Sequence, residues 1–145
     1  MFVELATRED YVSILNALKE MNNDNGQFKV NELKAMERIA ALLDSETAYI
    51  LLAKTDDEIA GMFALEITSP WYSSEETLEE QFIYVRQPYR KTRAIFYLIN
   101  EVKKLSQSLG NLPVIISIIA KKRALAKQRL FQQHFKNVGN KNVRR

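Results

Sequence analysis

Three consecutive segments in the second half of the chain constrain its fold more tightly than anything else in it. The run EEQFIYV, Glu79 to Val85, is short, apolar and β-prone. Beyond Pro88 the apolar residues Ala94, Ile95, Leu98, Ile99, Val102, Leu105 and Leu109 recur at helical spacing, which predicts a helix from about Lys91 to Leu109 with Gly110 as a natural C-cap. LPVIISIIA, Leu112 to Ala120, is then an unbroken apolar run of strand length, as expected of a strand covered on both faces. Strand, long helix and buried strand in succession predict a right-handed crossover that brings two strands side by side and parallel.

The remaining segments fill in a sheet around that unit. FVELA predicts a first strand, and Thr7 can cap a helix carrying Tyr11, Ile14, Leu15, Leu18 and Met21 on one face, stopped by NNDNG. A second amphipathic helix is expected from about Val30, with Leu33, Met36, Ala40 and Leu43 inward, ended by DSE. TAYILLAK and IAGMFALEIT, separated by TDDE, read as a hairpin, and SPWYSSEE as a loop. A basic helix from about Lys122 to His134 and a short tail after Phe135 complete the order. The expected class is α+β (mixed α/β), a twisted mixed sheet flanked by helices, in one domain spanning residues 1–145. After Gly139, NKNVRR supplies only a brief polar strand, so that edge of the sheet is expected to be open to a partner or a second copy.

Composition removes several kinds of chemistry. With no cysteine and one histidine, there is no disulfide, no thiolate zinc site and no cysteine nucleophile, and a histidine-based metal cluster is not expected. No apolar run approaches the roughly 18 residues of a membrane helix, and the N-terminus lacks the pattern of a secretory signal, so a cytoplasmic protein is expected. The net charge is only +3, yet RQPYRKTR, KKRALAKQR and KNVGNKNVRR all follow residue 85. Such asymmetry favours a phosphate-bearing ligand or nucleic acid. No aromatic-basic platform, glycine-rich RNA motif or recognition helix supports nucleic acid as the partner.

The handover from strand to helix, YVRQPYRKTRAI from Tyr84 to Ile95, resembles the phosphate-binding segment of the GNAT superfamily of N-acetyltransferases, and the order of elements resembles that family over nearly the whole chain. In the family, a strand ending in YV and a turn meet a helix at the motif Q/RxxGxG/A, whose backbone amides hold the pyrophosphate of acetyl-coenzyme A. Free N–H groups in a first helical turn, with the positive end of the helix dipole, make an anion site. The resemblance puts Arg90 at the Q/R position and implies coenzyme contacts from Ile83, Tyr84, Val85, Arg90, Lys91, Thr92, Arg93 and Ala94. Arg93 and Ile95 stand where small residues belong, which obstructs close backbone approach. Arg90, Lys91 and Arg93 offer charge-assisted bonds in exchange. RKTRAI looks most like the basic, glycine-poor versions in some phage-encoded members, which would extend the location to a phage particle or host cytoplasm.

A second family motif, near AxxLYxKxGF, is similar to AKQRLFQQHF, Ala126 to Phe135. There Phe131 replaces the tyrosine that in many members protonates the leaving thiolate, and His134 replaces a glycine. Phenylalanine cannot donate a proton, so that task would pass to Tyr97, His134 or water. His134 reads more simply as an exposed cation at a helix end, favoured by the dipole. An amine acceptor must lose a proton, which calls for a carboxylate or an ordered water near the strand. Glu79, Glu80 and Glu66 are the candidate bases; by strict alternation Glu79, Gln81 and Ile83 share one face, and Glu80, Phe82 and Tyr84 the other. Trp71 and Tyr72 would wall an acceptor pocket or cap the core. The resemblance thus implies an acetyl-coenzyme A-dependent N-acetyltransferase acting on a primary amine. The alternative is a GNAT-fold protein without catalysis, serving as a binding or structural module such as a phage particle component or host inhibitor.

Overall fold

In the computed structural model, which describes residues 1–25, 31–117, 129–138 and 141–144, the apolar runs become strands of one sheet. The order is β1 Phe2–Leu5, α1 Tyr11–Asn25, α2 Glu32–Asp44, β2 Ala48–Lys54, β3 Ile59–Thr68, β4 Thr77–Val85, α3 Ala94–Ser108, β5 Val114–Ser117, β6 Lys136–Val138 and β7 Lys141–Arg144. The strands lie as β1-β2-β3-β4-β5-β7-β6. All neighbours are antiparallel except β4 and β5, which pair parallel as the crossover requires. This is the α+β, mixed-sheet class.

Period-two alternation divides the core between the two faces of the sheet. Ile50, Leu52, Met62 and Ala64 meet Ile14 and Ala17 of α1 and Ile39 and Leu42 of α2. Leu51, Ala53, Phe63 and Leu65 meet Ala94, Leu98, Ile99 and Val102 of α3 on the opposite face. Within α3 the buried residues are Ala94, Leu98, Ile99, Val102 and Ser106, a stripe with i, i+4 spacing. Its end is a Schellman motif: the Asn111 amide donates to Ser106 O at 2.9 Å and the Gly110 amide to Gln107 O at 3.2 Å, with Gly110 at φ +83°. Ser106 is fully buried, and its hydroxyl donates to Leu112 O at 2.7 Å, tying the helix end to the entry of β5.

Four local expectations are corrected. The Asn-rich stretch after Met21 does not stop α1, which runs on to Asn25; bonds from Tyr84 and Arg90 to Asp24 hold that turn helical against its weak propensity. In α2, Leu33 and Met36 are exposed while Ile39 and Leu42 are buried, because the helix meets the sheet only along its C-terminal turns. The helix after Pro88 starts at Ala94 rather than near Lys91, since Gln87–Tyr89 form a separate 3-10 turn. At the far edge, β7 lies between β5 and β6, so Lys136–Val138 is the outer strand and the last residues are interior to the sheet. The basic helix expected from about Lys122 falls mostly outside the described residues; 129–132 are helical.

Gly61 sets how closely α3 approaches the sheet. A Cβ there would lie 3.1 Å from Tyr84 O, 3.2 Å from Leu98 Cδ1 and 3.3 Å from Val85 Cγ2. Backbone on one side and a buried helix residue on the other leave little room to give. Gly61→Ala is therefore expected to cost about 1–3 kcal/mol, read as a lowered urea midpoint at unchanged m-value.

Candidate active site

The site begins where β4 parts from β5. Their parallel register covers only Leu78↔Val114 and Glu79↔Ile115. From Glu80 to Val85, β4 has no strand on that side among the described residues. At the same place β4 bulges: Ala64 pairs with Phe82 and Leu65 with Glu80, leaving Gln81 as the extra residue. The bulge breaks the alternation assumed from sequence. Phe82 and Tyr84 pack with the α1 and α2 core, whereas Ile83 and Val85 share the α3 side with Leu78. Register places Glu66 and Glu79 opposite each other on the α2 face, with Ala64 and Phe82, and Glu80 opposite Leu65 on the α3 face. The three candidate carboxylates are thus divided between two faces, and Glu79 no longer groups with Ile83.

Backbone polarity follows from the same register. The Arg86 amide donates to Ala60 O at 2.9 Å, so antiparallel alternation turns the N–H and C=O groups of Val85 and Ile83 away from β3 and into the gap. The gap leads to the turn at Arg86–Arg93. Thr92 Oγ1 donates to Tyr89 O and accepts from the Ala94 amide at 3.3 Å. Among the described residues, the amides of Arg93, Ile95 and Phe96 find no acceptor, as a first helical turn dictates. Arg93 sits at φ −86°, and among the described residues the positive-φ positions are Gly110 and Asn111. The departures from glycine at Arg93 and Ile95 therefore carry no backbone strain; they only stand side chains near the amides.

The basic residues of this turn are not equivalent. Lys91 and Arg93 are exposed. Arg90 is turned inward: its Nε donates to Val85 O at 3.0 Å, its Nη2 to Asp24, and its guanidinium lies 5.6 Å from the Tyr84 ring centroid. The Tyr84 hydroxyl also donates to Asp24, at 2.7 Å; burial first, and that bond second, hold its pKa well above the usual phenol. A parallel set holds Arg86, whose Nε meets Glu20 at 2.8 Å and whose Nη1 meets Glu58 at 2.9 Å, while Tyr89 donates to Glu58. The Tyr89 and Arg86 bonds keep the Glu58 carboxyl below its usual range. Glu20 and Asp24, four apart on α1, thus face Arg86 and Arg90, four apart across the turn. These acidic residues were missed from sequence, where the i, i+4 spacing was the available signal.

A cleft of about 250 Å³ between α1 and the β2–β3 turn is a separate hollow, and its Glu20 and Glu58 carboxylates are already paired with Arg86.

On the α2 face of the opening, Arg38 Nη2 donates to Glu66 Oε1 at 3.0 Å and to Gln81 Oε1 at 3.1 Å. Glu79 leans the other way, accepting from Thr68 Oγ1 at 3.1 Å. Phe131, at the tyrosine position, is 1% exposed and stacks edge-on to Phe63 with centroids 6.3 Å apart. His134 is no exposed helix-end cation: its Nδ1 lies 3.1 Å from Lys103 Nζ, and burial first, then the lysine charge, lower its pKa, so it is neutral near pH 7 with its proton on Nε2. Trp71 and Tyr72 cap no core; they are 95% and 74% exposed and pack on each other.

A family model described as acetyltransferase (GNAT) family matches residues 13–135. The chain belongs to the GNAT acetyltransferase family. Solved structures share the fold at low identity. A possible acetyltransferase from Clostridium difficile 630 superposes with a TM-score of 0.77 at 16% identity, covering 94% of this chain and 90% of that one. An aminoglycoside 6'-N-acetyltransferase from Acinetobacter haemolyticus gives 0.74 at 16%, over 95% and 92%. A ribosomal-protein-alanine N-acetyltransferase from Brucella melitensis biovar Abortus 2308 gives 0.74 at 14%, over 94% and 91%. No curated protein matches the chain by sequence. Among the described residues no helix is long and apolar enough to cross a membrane.

Proposed function

We propose that this GNAT-family protein transfers the acetyl group of acetyl-coenzyme A to a primary amine. The observation that carries the reading is the gap beside β4, with Ile83 and Val85 polar groups facing into it, leading to a turn of open amides. Lys91, Arg93 and the first-turn amides of α3 would receive the diphosphate. Ile83 and Val85 would pair with the pantetheine arm, and Arg90, already bonded to Val85 O, would brace the strand end rather than touch phosphate. The coenzyme supplies an activated acetyl thioester. The chain's task is then to hold an amine beside Gln81, where the sheet opens, and to accept its proton through Glu66, Glu79 or Glu80, directly or through water. Phe131 offers no proton to the leaving thiolate, which leaves that step to solvent.

Coenzyme A titration in a melting experiment tests this before any acceptor is known. A ligand bound only by the native state adds about 2.7 kcal/mol at a hundredfold excess over its Kd, which raises the Tm by several degrees at this length. Arg93→Glu should remove most of that shift. Lys104→Glu, on an exposed turn of the same helix 72% exposed at the side chain, should keep it. An unaltered protein that shows no shift at millimolar coenzyme A would support the non-catalytic reading; equal loss from both variants would mean that diffuse charge, not this turn, holds the ligand.

A further inference from the structure

The residues at the mouth of the gap have a polarity of their own. Arg38 comes from the middle of α2 and spends both Nη2 hydrogens on Glu66 and Gln81, so it ties the helix to the bulge itself. Its side chain is still half exposed, and its Nε and Nη1 hydrogens find no acceptor among the described residues. Glu66 is 24% exposed and engages Arg38 through one oxygen, Oε1. Glu79, the other carboxylate of this face, leans away toward Thr68. The mouth of the gap therefore presents the Arg38 guanidinium and the Glu66 carboxylate side by side as a strong dipole, with Glu79 opposite Glu66 on the same face and bonded to Thr68.

Resting on the acetyltransferase reading, we infer that the acceptor is an α-amino-acid-type zwitterion, with its amine at Glu66 and its carboxylate on the open N–H groups of Arg38. A dipolar pair favours a ligand whose amine and acid sit on neighbouring atoms, and it gives no advantage to a polycation, for which Arg38 is repulsive. In the transfer, Glu66 or a water bound to it takes the proton of the α-ammonium. The nitrogen lone pair then forms the bond to the acetyl carbon as the C–S bond breaks. The nitrogen sheds its second proton as the amide forms, the departing coenzyme thiolate takes up one proton through solvent, and the products are an N-acetyl amino acid and coenzyme A, with one proton left on Glu66 or its water. Arg38 acts as a specificity residue through binding, not as an acid or base.

The test compares free L-amino acids, their α-carboxamides and an aminoglycoside as acceptors, with thiol release as the readout, in the unaltered protein and in Arg38→Gln and Arg38→Lys. A hydrogen-bonded charge contact to the carboxylate should give about a tenfold or greater preference in kcat/KM for free acids over carboxamides. Arg38→Gln should erase that preference, kcat/KM for the acids falling about tenfold further than for the carboxamides, and Arg38→Lys should restore part of it. The coenzyme A melting shift should persist in both variants. Carboxamides or the aminoglycoside used as well as the acids by the unaltered protein, or an equal loss for all acceptors in Arg38→Gln, would overturn the inference alone while the coenzyme shift stands. Absence of that shift in the unaltered protein would overturn the inference and the acetyltransferase reading together.

Discussion

Phe131→Ala is expected to destabilise the protein by about 3–5 kcal/mol, the range for truncating a buried phenylalanine, and to appear as a large drop in Tm or urea midpoint. The ring is 1% exposed, meets Phe63 edge-on at 6.3 Å and Phe135 at 5.9 Å, and joins the helical segment 129–132 to the α3 face of the sheet. Edge-to-face aromatic pairs add to the transfer term, and a cavity between two such rings cannot close without moving β3. A loss below about 1 kcal/mol would show that this end of the chain is loosely attached.

The second large effect concerns turnover. Removing the general base should lower kcat by about a hundredfold or more while coenzyme affinity, read by the melting shift, stays within about twofold. Glu66→Gln is expected to do this, because Glu66 is held at Gln81, where the sheet opens. Glu79→Gln and Glu80→Gln are expected to do less: the first carboxylate leans toward Thr68, and the second lies on the α3 face opposite Leu65. A loss of that size at Glu79 with Glu66→Gln intact would move the base one strand over. Full turnover in all three variants would remove carboxylate base catalysis from the mechanism.

The succession from Glu79 to Ser117 was legible because each segment states its own period: apolar β-prone run, helical stripe, continuous apolar run, with Gly110 at the φ +83° that ends the helix. Those are local properties, and tertiary contacts reinforced them. Where the local signal was weak, neighbours decided. The asparagines after Met21 look like a helix stop in isolation, yet Asp24 carries the bonds of Tyr84 and Arg90 and the helix continues. Leu33 and Met36 have the right spacing for a core face, but the sheet is not there to cover them. Nothing in EEQFIYV announces a bulge, since an extra residue is defined only by the partner strand it fails to match.

By itself, then, the sequence determined the order of elements from β1 to β5, the parallel crossover and the basic turn that follows β4, because hydrophobic period, proline and glycine placement act over a few residues. The tertiary structure decided which side chains serve that turn and its gap. Arg90 and Arg93 are both basic residues of one short turn, and the carboxylate of Asp24, sixty-six positions away in sequence, together with Val85 O holds the first inward while the second stays at the surface. Likewise the bulge at Gln81 moves Ile83 to the face of Glu80 and Phe82 to the face of Glu79, and α2 supplies Arg38 to the opening. Charge partners and register are long-range facts, settled by how two faces pack on one sheet rather than by the residues beside them in the chain.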